Sequence, residues 1–412
     1  MFRTLAVALL AAALLAQAAS ARAEPLTLEE AIARASNGAP VLTATEAGVD
    51  VARAERRQAG VRPNPTVSVM AENAIGTGDY GLFSRSEVTG TYNQTIERGG
   101  KRAARAAFAE RGITVAEARQ RIARLDLAAQ VQRAYYDLLI AEEQVWAGEF
   151  RVKTETQLQT EALRRVRGYK DPLFVETRAA ARVAQARIDL AEATGRLAAA
   201  RSGLASFWGG AGESLEVKDV LLKDAPQRSG VLQADEALGV AEVARAQSGV
   251  VVEEARRTQD YTVSGGLRYL RETDDVAVLG GVTIPIGRFD RNQGNIERAQ
   301  AQRRQLELTA EATRLARLRR LVSLRAEAAT MRTKADAIIK EVVPRTTRTL
   351  EQVRAGYNRG GFAFRDVQDA ADAILEAQRE WFAAATAWRD LQTEIDRLSG
   401  RFDAVADGET AL

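Results

Sequence analysis

VRAGYNRGGFAFRDVQDA, residues 353–370, interrupts what otherwise reads as a very long helix. From Arg288 to Arg354 the chain is crowded with Ala, Leu, Arg, Glu and Gln, all strong helix formers. One proline, Pro344, stands among them and predicts a local kink. Gly356, Gly360 and Gly361 then arrive together with Tyr357, Phe362 and Phe364. A similar phrase, VRGYKDPLFVETRAA, stands at residues 166–180 and closes a proline-free run of 67 residues, Lys101 to Arg167. As one helix that run would reach ~100 Å, several times the average helix, so it reads as a spacer.

Two such stops imply a chain written twice. Each half runs from a helical segment (Thr27 to Arg62; Gln227 to Gln259) through two short strands to a long helix, the Gly/aromatic phrase and a returning helix. In the second returning helix Val367, Ala370, Ile374, Ala377, Trp381, Ala384, Trp388, Leu391, Ile395 and Leu398 fall at alternating spacings of three and four, a coiled-coil seam. Both tryptophans fit that seam and read as packing residues. At an offset of 191 residues, the first half keeps nearly the same rhythm from Ala179 to Phe207. Matching Val166 with Val353 and Tyr169 with Tyr357 lowers the offset to 187 or 188, which predicts a second turn three or four residues longer than the first. The expected organisation is a signal peptide at 1–23, a first repeat at 24–208, a Gly-rich linker at 209–226, a second repeat at 227–400 and a tail at 401–412.

The signal peptide rests on Arg3, the apolar run Leu5 to Leu15, and the small residues of Ala21-Arg22-Ala23 before the expected cleavage. No later stretch is long and apolar enough to read as a transmembrane helix. With no cysteine and no histidine in 412 residues, the chain lacks disulfides, thiolate metal sites and the commonest general base. That argues against an enzyme, and no cofactor or resident metal is expected. The 58 basic and 55 acidic residues are interspersed, and no basic stripe with aromatics appears. Solvated helix surfaces explain this, and no nucleic-acid partner is expected.

The strands carry a second message. EVTGTYNQTI, residues 87–96, sets Val88, Gly90, Tyr92, Gln94 and Ile96 against Glu87, Thr89, Thr91, Asn93 and Thr95. YTVSGGLRYL (261–270) and VAVLGGVTIPI (276–286) alternate similarly, and TVSVMAEN (66–73) is the weakest. These lengths suit tilted transmembrane β-strands. Four strands cannot close a barrel, and no remaining segment would cover them, so the chain must associate with copies of itself. Gly76 to Arg85 and Arg271 to Asp275 are the expected hairpin loops, outside the cell.

At this point the chain resembles the outer membrane factors of Gram-negative tripartite efflux and type I secretion systems, the trimeric channel-tunnels. LTLEEAIARASNGAPVL (26–42) looks like the family's opening helix pair, broken at an Asn/Pro turn. QTIERGGKRAAR (94–105) looks like the branch serving heavy-metal RND pumps, and GYNRGGFAFRDVQDA (356–370) resembles the second periplasmic tip. The resemblance implies a mixed, mainly α fold. Three chains would share a twelve-stranded β-barrel among outer-membrane lipid and an α-barrel across the periplasm. A periplasmic adaptor and an inner-membrane RND pump would dock at the lower end. The function implied is a passive exit duct, for heavy-metal cations if the sub-branch holds. Multidrug or type I protein export is the alternative within the family. A periplasmic coiled-coil adaptor or scaffold is the alternative of another class, but it would need a lipoyl-like β-domain that no segment supplies.

The resemblance also assigns residues. Gly168, Tyr169, Gly356, Tyr357, Gly360, Gly361 and Phe362 become the periplasmic tips and adaptor-docking region, with the glycines turning the chain where a Cβ would clash. Asp366 and Asp369, three apart on one helix face, fall on positions lining the narrowest constriction of related channels. In three chains they would form two carboxylate rings favouring cations. Val175 and Arg178 stand at the equivalent places of the first half, so the acids come from one repeat alone. Where some relatives carry an arginine five residues after Tyr357, this chain has Phe362, and Arg359 or Arg365 is expected to make the closed-state salt bridge instead.

Overall fold

The computed structural model describes residues 26–210, 212, 215–222 and 233–402. The expected signal peptide, part of the linker and nearly all of the tail lie outside them. In chain order the main elements are α1 (Leu28–Gly38), α2 (Pro40–Ala59), β1 (Thr66–Glu72), β2 (Glu87–Ile96), α3 (Lys101–Arg167) and α4 (Phe174–Ala205). The second half repeats the order with α5 (Gln233–Arg256), β3 (Tyr261–Leu270), β4 (Asp275–Thr283), α6 (Gln293–Ala337), α7 (Val343–Arg359) and α8 (Phe364–Leu398). Two compact units draw on both halves. One comprises Val41–Ala123 with Gln233–Ala316, and the other takes the rest of the described chain.

Local chemistry accounts for the element ends. Thr27 caps α1 reciprocally: its hydroxyl accepts the Glu30 N–H at 3.3 Å, and the Glu30 carboxylate accepts the Thr27 N–H at 3.0 Å. Pro40 opens α2, where its missing N–H costs nothing. The kink expected at Pro344 takes the form of a π-helical turn, Ile338–Val342, between α6 and α7. Pro344 cannot donate to the carbonyl four residues back, and the wider turn absorbs that missing bond.

In the first unit the sheet runs β1-β2-β3-β4, all antiparallel. Directly paired residues share a face, and the register collects the apolar side chains on one side. Val67 faces Tyr92, Val69 faces Gly90, Gly90 faces Leu267, and Leu267 faces Val278. That face is open: Val67, Leu267 and Val282 are exposed, and Val278 is 82 % exposed. The opposite face holds Thr66, Ser68, Thr91, Ser264 and Arg268, with Arg268 bridging Glu87 at 2.9 Å and Thr89 at 3.0 Å. β4 ends at Thr283, so Ile284 and Ile286 of the expected strand lie beyond its pairing.

The second unit is a helix bundle. None of the α8 seam residues is exposed, and none of the matching residues from Ala179 to Phe207 is either. The inter-repeat linker is not a loose tether here. Val217 bridges Leu26 in parallel, Tyr136 donates to Asp219 at 3.0 Å, and Arg389 donates to the carbonyls of Leu221 and Val220 at 2.7 and 2.8 Å. The Arg389 guanidinium lies 3.8 Å over the Tyr136 ring and 4.5 Å over Trp388, so it is desolvated but stacked and hydrogen-bonded. Trp388 is buried against Leu321, Leu324 and Ile395.

Candidate functional site

The two helix hairpins of the bundle meet near their turns. The α3/α4 hairpin contributes Leu158, Ala162, Val166, Val175 and Ala179, and the α7/α8 hairpin contributes Tyr357, Phe364, Val367 and Ala371 to one apolar cluster. Both long helices end in the same way. The N–H of Lys170 reaches the Arg165 carbonyl at 2.9 Å and that of Tyr169 reaches Val166 at 3.0 Å. In the second hairpin Gly361 reaches Gly356 and Gly360 reaches Tyr357, each at 2.9 Å. These are paired Schellman bonds, and they require a left-handed residue just past the helix. Gly360 supplies it at φ 89°, while the first tip places Tyr169 there at φ 54°.

This geometry corrects the alignment of the two phrases. Tyr169 matches Gly360, not Tyr357, so the 191-residue offset persists to the tips. The second turn, 360–363, is shorter than the first, 168–173, by two residues rather than longer. Gly356 and Tyr357 sit inside α7, which continues to Arg359. The seven expected tip residues therefore divide. Tyr169 is 97 % exposed, and Gly168, Gly360, Gly361 and Phe362 are exposed as well, whereas Gly356 is buried and Tyr357 is only 1 % exposed. Leu173 and Phe174 join the exposed set at the first turn. Gly356 serves packing: a Cβ there would come within 2.2 Å of the Phe362 ring.

Tyr357 faces inward because it belongs to a polar cluster between the hairpins. The Arg165 guanidinium forks onto Asp171 at 2.9 and 3.0 Å, donates to the Tyr357 carbonyl, and lies 4.4 Å over the Tyr357 ring. The Tyr357 hydroxyl donates to Asp171. The bond from Arg165 holds the Asp171 carboxyl below its usual range, with the Tyr357 hydroxyl adding to the effect. Burial raises the Tyr357 phenol, and its bond to the carboxylate raises it further. Farther from the turns, Arg354 forks onto Glu161 at 2.8 and 3.0 Å, and Arg182 bridges Glu155 at 2.8 Å and Asp372 at 2.6 Å. Three arginines thus tie one hairpin to the other. Sequence reading missed Arg165 and Asp171, although Asp171 lies inside the Gly/aromatic phrase of residues 166–180 and Arg165 immediately precedes it.

The expected constriction acids are both exposed. Asp366 accepts the Ala363 N–H at 2.8 Å and so closes the first turn of α8. Asp369 lies 3.8 Å from Arg365, with both side chains largely in solvent. Of the two arginines expected to replace the missing one, Arg365 reaches only Asp369, and the contacts across to the other hairpin come from Arg165, Arg354 and Arg182. No group of three or more acidic side chains able to hold a metal ion occurs among the described residues.

A groove of about 620 Å³ opens beside the same hairpins, lined by Trp146, Phe150, Ile339, Val343, Leu350 and Trp381 among others. Trp146 and Phe150 stack at 6.2 Å and are exposed, and the indole N–H of Trp381 is enclosed without an acceptor. Trp381 is therefore only partly a packing residue.

Comparison with known proteins agrees with this architecture. The family described as "Outer membrane efflux protein" matches residues 31–210. The cobalt-zinc-cadmium resistance protein CzcC of Cupriavidus metallidurans is 31 % identical over 92 % of this chain and 91 % of its own length. The nickel and cobalt resistance protein CnrC of the same organism is 30 % identical over 69 % of this chain and 68 % of its own. Among solved structures, the channel-forming CusC superposes with a TM-score of 0.74 at 16 % identity, covering 90 % of this chain and 91 % of that one.

Proposed function

Because this chain belongs to the outer membrane efflux protein family, we propose that it is the passive exit duct of a tripartite RND-type pump, working as a homotrimer. The observation that carries this is the sheet. Its two edge strands, β1 and β4, have no further partner among the described residues, and its apolar face is exposed. A lone sheet of this kind is insoluble in water and incomplete in lipid, where every backbone polar group must be paired. Three copies of four strands give a closed twelve-stranded barrel, apolar outward and polar inward.

The hairpin tips form the periplasmic gate in this reading. The Arg165–Asp171–Tyr357 cluster holds the two hairpins together when the duct is shut, and opening must break it. Asp366 and Asp369 of three copies ring the mouth and favour cations. The adaptor docks on Tyr169, Leu173, Phe174 and Phe362 and in the groove at Trp146 and Phe150. The cargo is divalent heavy-metal ions, as the names of the relatives suggest, and the pump rather than the duct selects them.

Growth of a deletion strain tests the cargo. Selective sensitivity to zinc, cadmium or cobalt is expected, and sensitivity to drugs and detergents alone would overturn it. In planar bilayers, Asp366→Ala with Asp369→Ala should weaken cation selectivity. An unchanged reversal potential in a salt gradient would remove the carboxylate rings from the account.

A further inference from the structure

The sheet has two rims of opposite character. Its register places the start of β1, the end of β2, the start of β3 and the end of β4 together, since Thr66 pairs with Asn93, Ile96 with Tyr261 and Thr262 with Thr283. All four helix connections leave from this rim. They carry Arg57, Arg62, Arg98, Arg102, Arg257 and Arg288, every one exposed and none with its guanidinium paired to a carboxylate among the described residues, although the backbone N–H of Arg98 donates to Asp260 at 2.9 Å. Half of the acids of the same segments are already paired with other cations. Glu97 binds Arg105, Asp260 binds Lys101 at 2.8 Å, and Glu253 binds Arg256 at 2.7 Å. Glu55, Glu254 and Asp290 are left to oppose the six arginines.

The other rim is acidic. Glu72 stands directly opposite Glu87, Asp275 lies in the same row, and Asp79, Glu272 and Asp274 follow in the hairpin loops, against Arg85, Arg268 and Arg271. Between the rims lies the exposed apolar face, seven to ten residues tall. At ~3.4 Å per residue and a membrane tilt, that height matches a hydrocarbon layer of about 25 Å. The basic rim begins where that layer ends. Two of its arginines also lie on aromatic rings there: Arg98 is 4.1 Å over Tyr261, and Arg288 is 5.5 Å over Phe289, which is itself exposed. Aromatic rings beside snorkelling cations are the arrangement suited to a headgroup plane.

We propose that this rim binds the phosphate groups of anionic phospholipids, fixing the depth and direction of the barrel in the bilayer. Guanidinium groups are suited to the task, since their forked donors match phosphate oxygens and lose little hydration on doing so. Six per chain, spread over all four connections, would surround the assembled barrel. The contrast with the acidic rim makes the attraction directional, because the same lipids are repelled from the opposite end. The inference rests on the reading that the sheet is a membrane barrel.

The full chain is reconstituted into nanodiscs of equimolar phosphatidylglycerol and phosphatidylcholine, and the lipids retained on the released protein are counted by mass spectrometry. Retention should favour phosphatidylglycerol by about fivefold. In Arg57→Gln/Arg62→Gln/Arg102→Gln it should fall to near parity. In the charge-matched control Arg187→Gln/Arg196→Gln/Arg348→Gln the preference should persist. Excess inorganic phosphate should not displace the lipid; displacement would mean a free-phosphate site and overturn the proposal. Equal retention by the wild type, or an unchanged preference in the rim variant, would overturn it too. Co-flotation with pure phosphatidylcholine vesicles separates the two levels. A protein that floats without any preference refutes the collar alone, and one that does not float refutes the membrane barrel.

Discussion

The two hairpin tips end their helices with the same pair of Schellman bonds, yet they fill the left-handed position differently. Gly360 adopts it without a Cβ, while Tyr169 carries a full aromatic side chain into a conformation that costs an L-residue about 1–2 kcal/mol. In exchange, the first tip displays an aromatic ring at its apex. The second tip places its tyrosine three residues earlier, inside the helix, where it is buried and hydrogen-bonded to Asp171. One tyrosine is thus available to a partner and the other to the opposite hairpin. Duplication supplied one turn twice, and the residues around it have taken complementary tasks.

The largest expected effect tests whether the hairpins really act on each other. Arg165→Ala leaves Asp171 without its guanidinium and the Tyr357 carbonyl without its second donor, a loss of roughly 3 kcal/mol for a nearly buried pair. Hydrogen exchange should quicken at the ends of both α3 and α7. Quickening at α3 alone would show that the tips are independent.

Acidification probes the same cluster more gently. The Asp171 carboxyl is held below its unfolded value, so its contribution is complete above about pH 3.9 and is lost as pH falls through the lower folded value. Tyr357 is shifted upward, so its contribution is complete below about pH 10 and is lost only as pH rises beyond that. Exchange protection at the tips should therefore be flat between these limits. A transition near pH 6 would point to groups outside this cluster.

The smaller effects concern the left-handed position itself. Gly360→Ala should destabilise the second tip by about 1 kcal/mol. Tyr169→Gly should stabilise the first by about 0.5 kcal/mol, because relief of strain slightly exceeds the added freedom of the unfolded glycine. Thermal unfolding of the isolated trimer reads both, and the two changes should have opposite signs. In a docking assay with the adaptor, Tyr169→Gly should nevertheless weaken binding, since the exposed ring is lost.

Much of the fold was legible because it is periodic. The alternation of EVTGTYNQTI and YTVSGGLRYL coincides with β2 and β3, and the 67-residue run coincides with α3. The seam of α8 was readable because a spacing of three and four determines which face can be buried, whatever covers it. The tips were misread for a related reason. Similar words suggested that Tyr169 and Tyr357 correspond, but the backbone follows the helical repeat and not the resemblance of residue names. The candidate site was half legible: Asp366, Asp369 and the exposed tip residues lie in the marked phrases, whereas Asp171, in the same phrases, and Arg165 just before them look like ordinary charges near a helix end.

The sequence by itself determined the element types, their order, the duplication and the two-faced character of the strands, since each depends on neighbours within one or two turns. Tertiary structure alone decided which residues meet across the hairpins. Arg165 and Tyr357 are 192 positions apart, and Arg389 is 168 from the linker carbonyl it holds. No local period encodes such pairs. They arise when two helices, each already formed, settle side by side and leave a few polar groups that must find partners away from water.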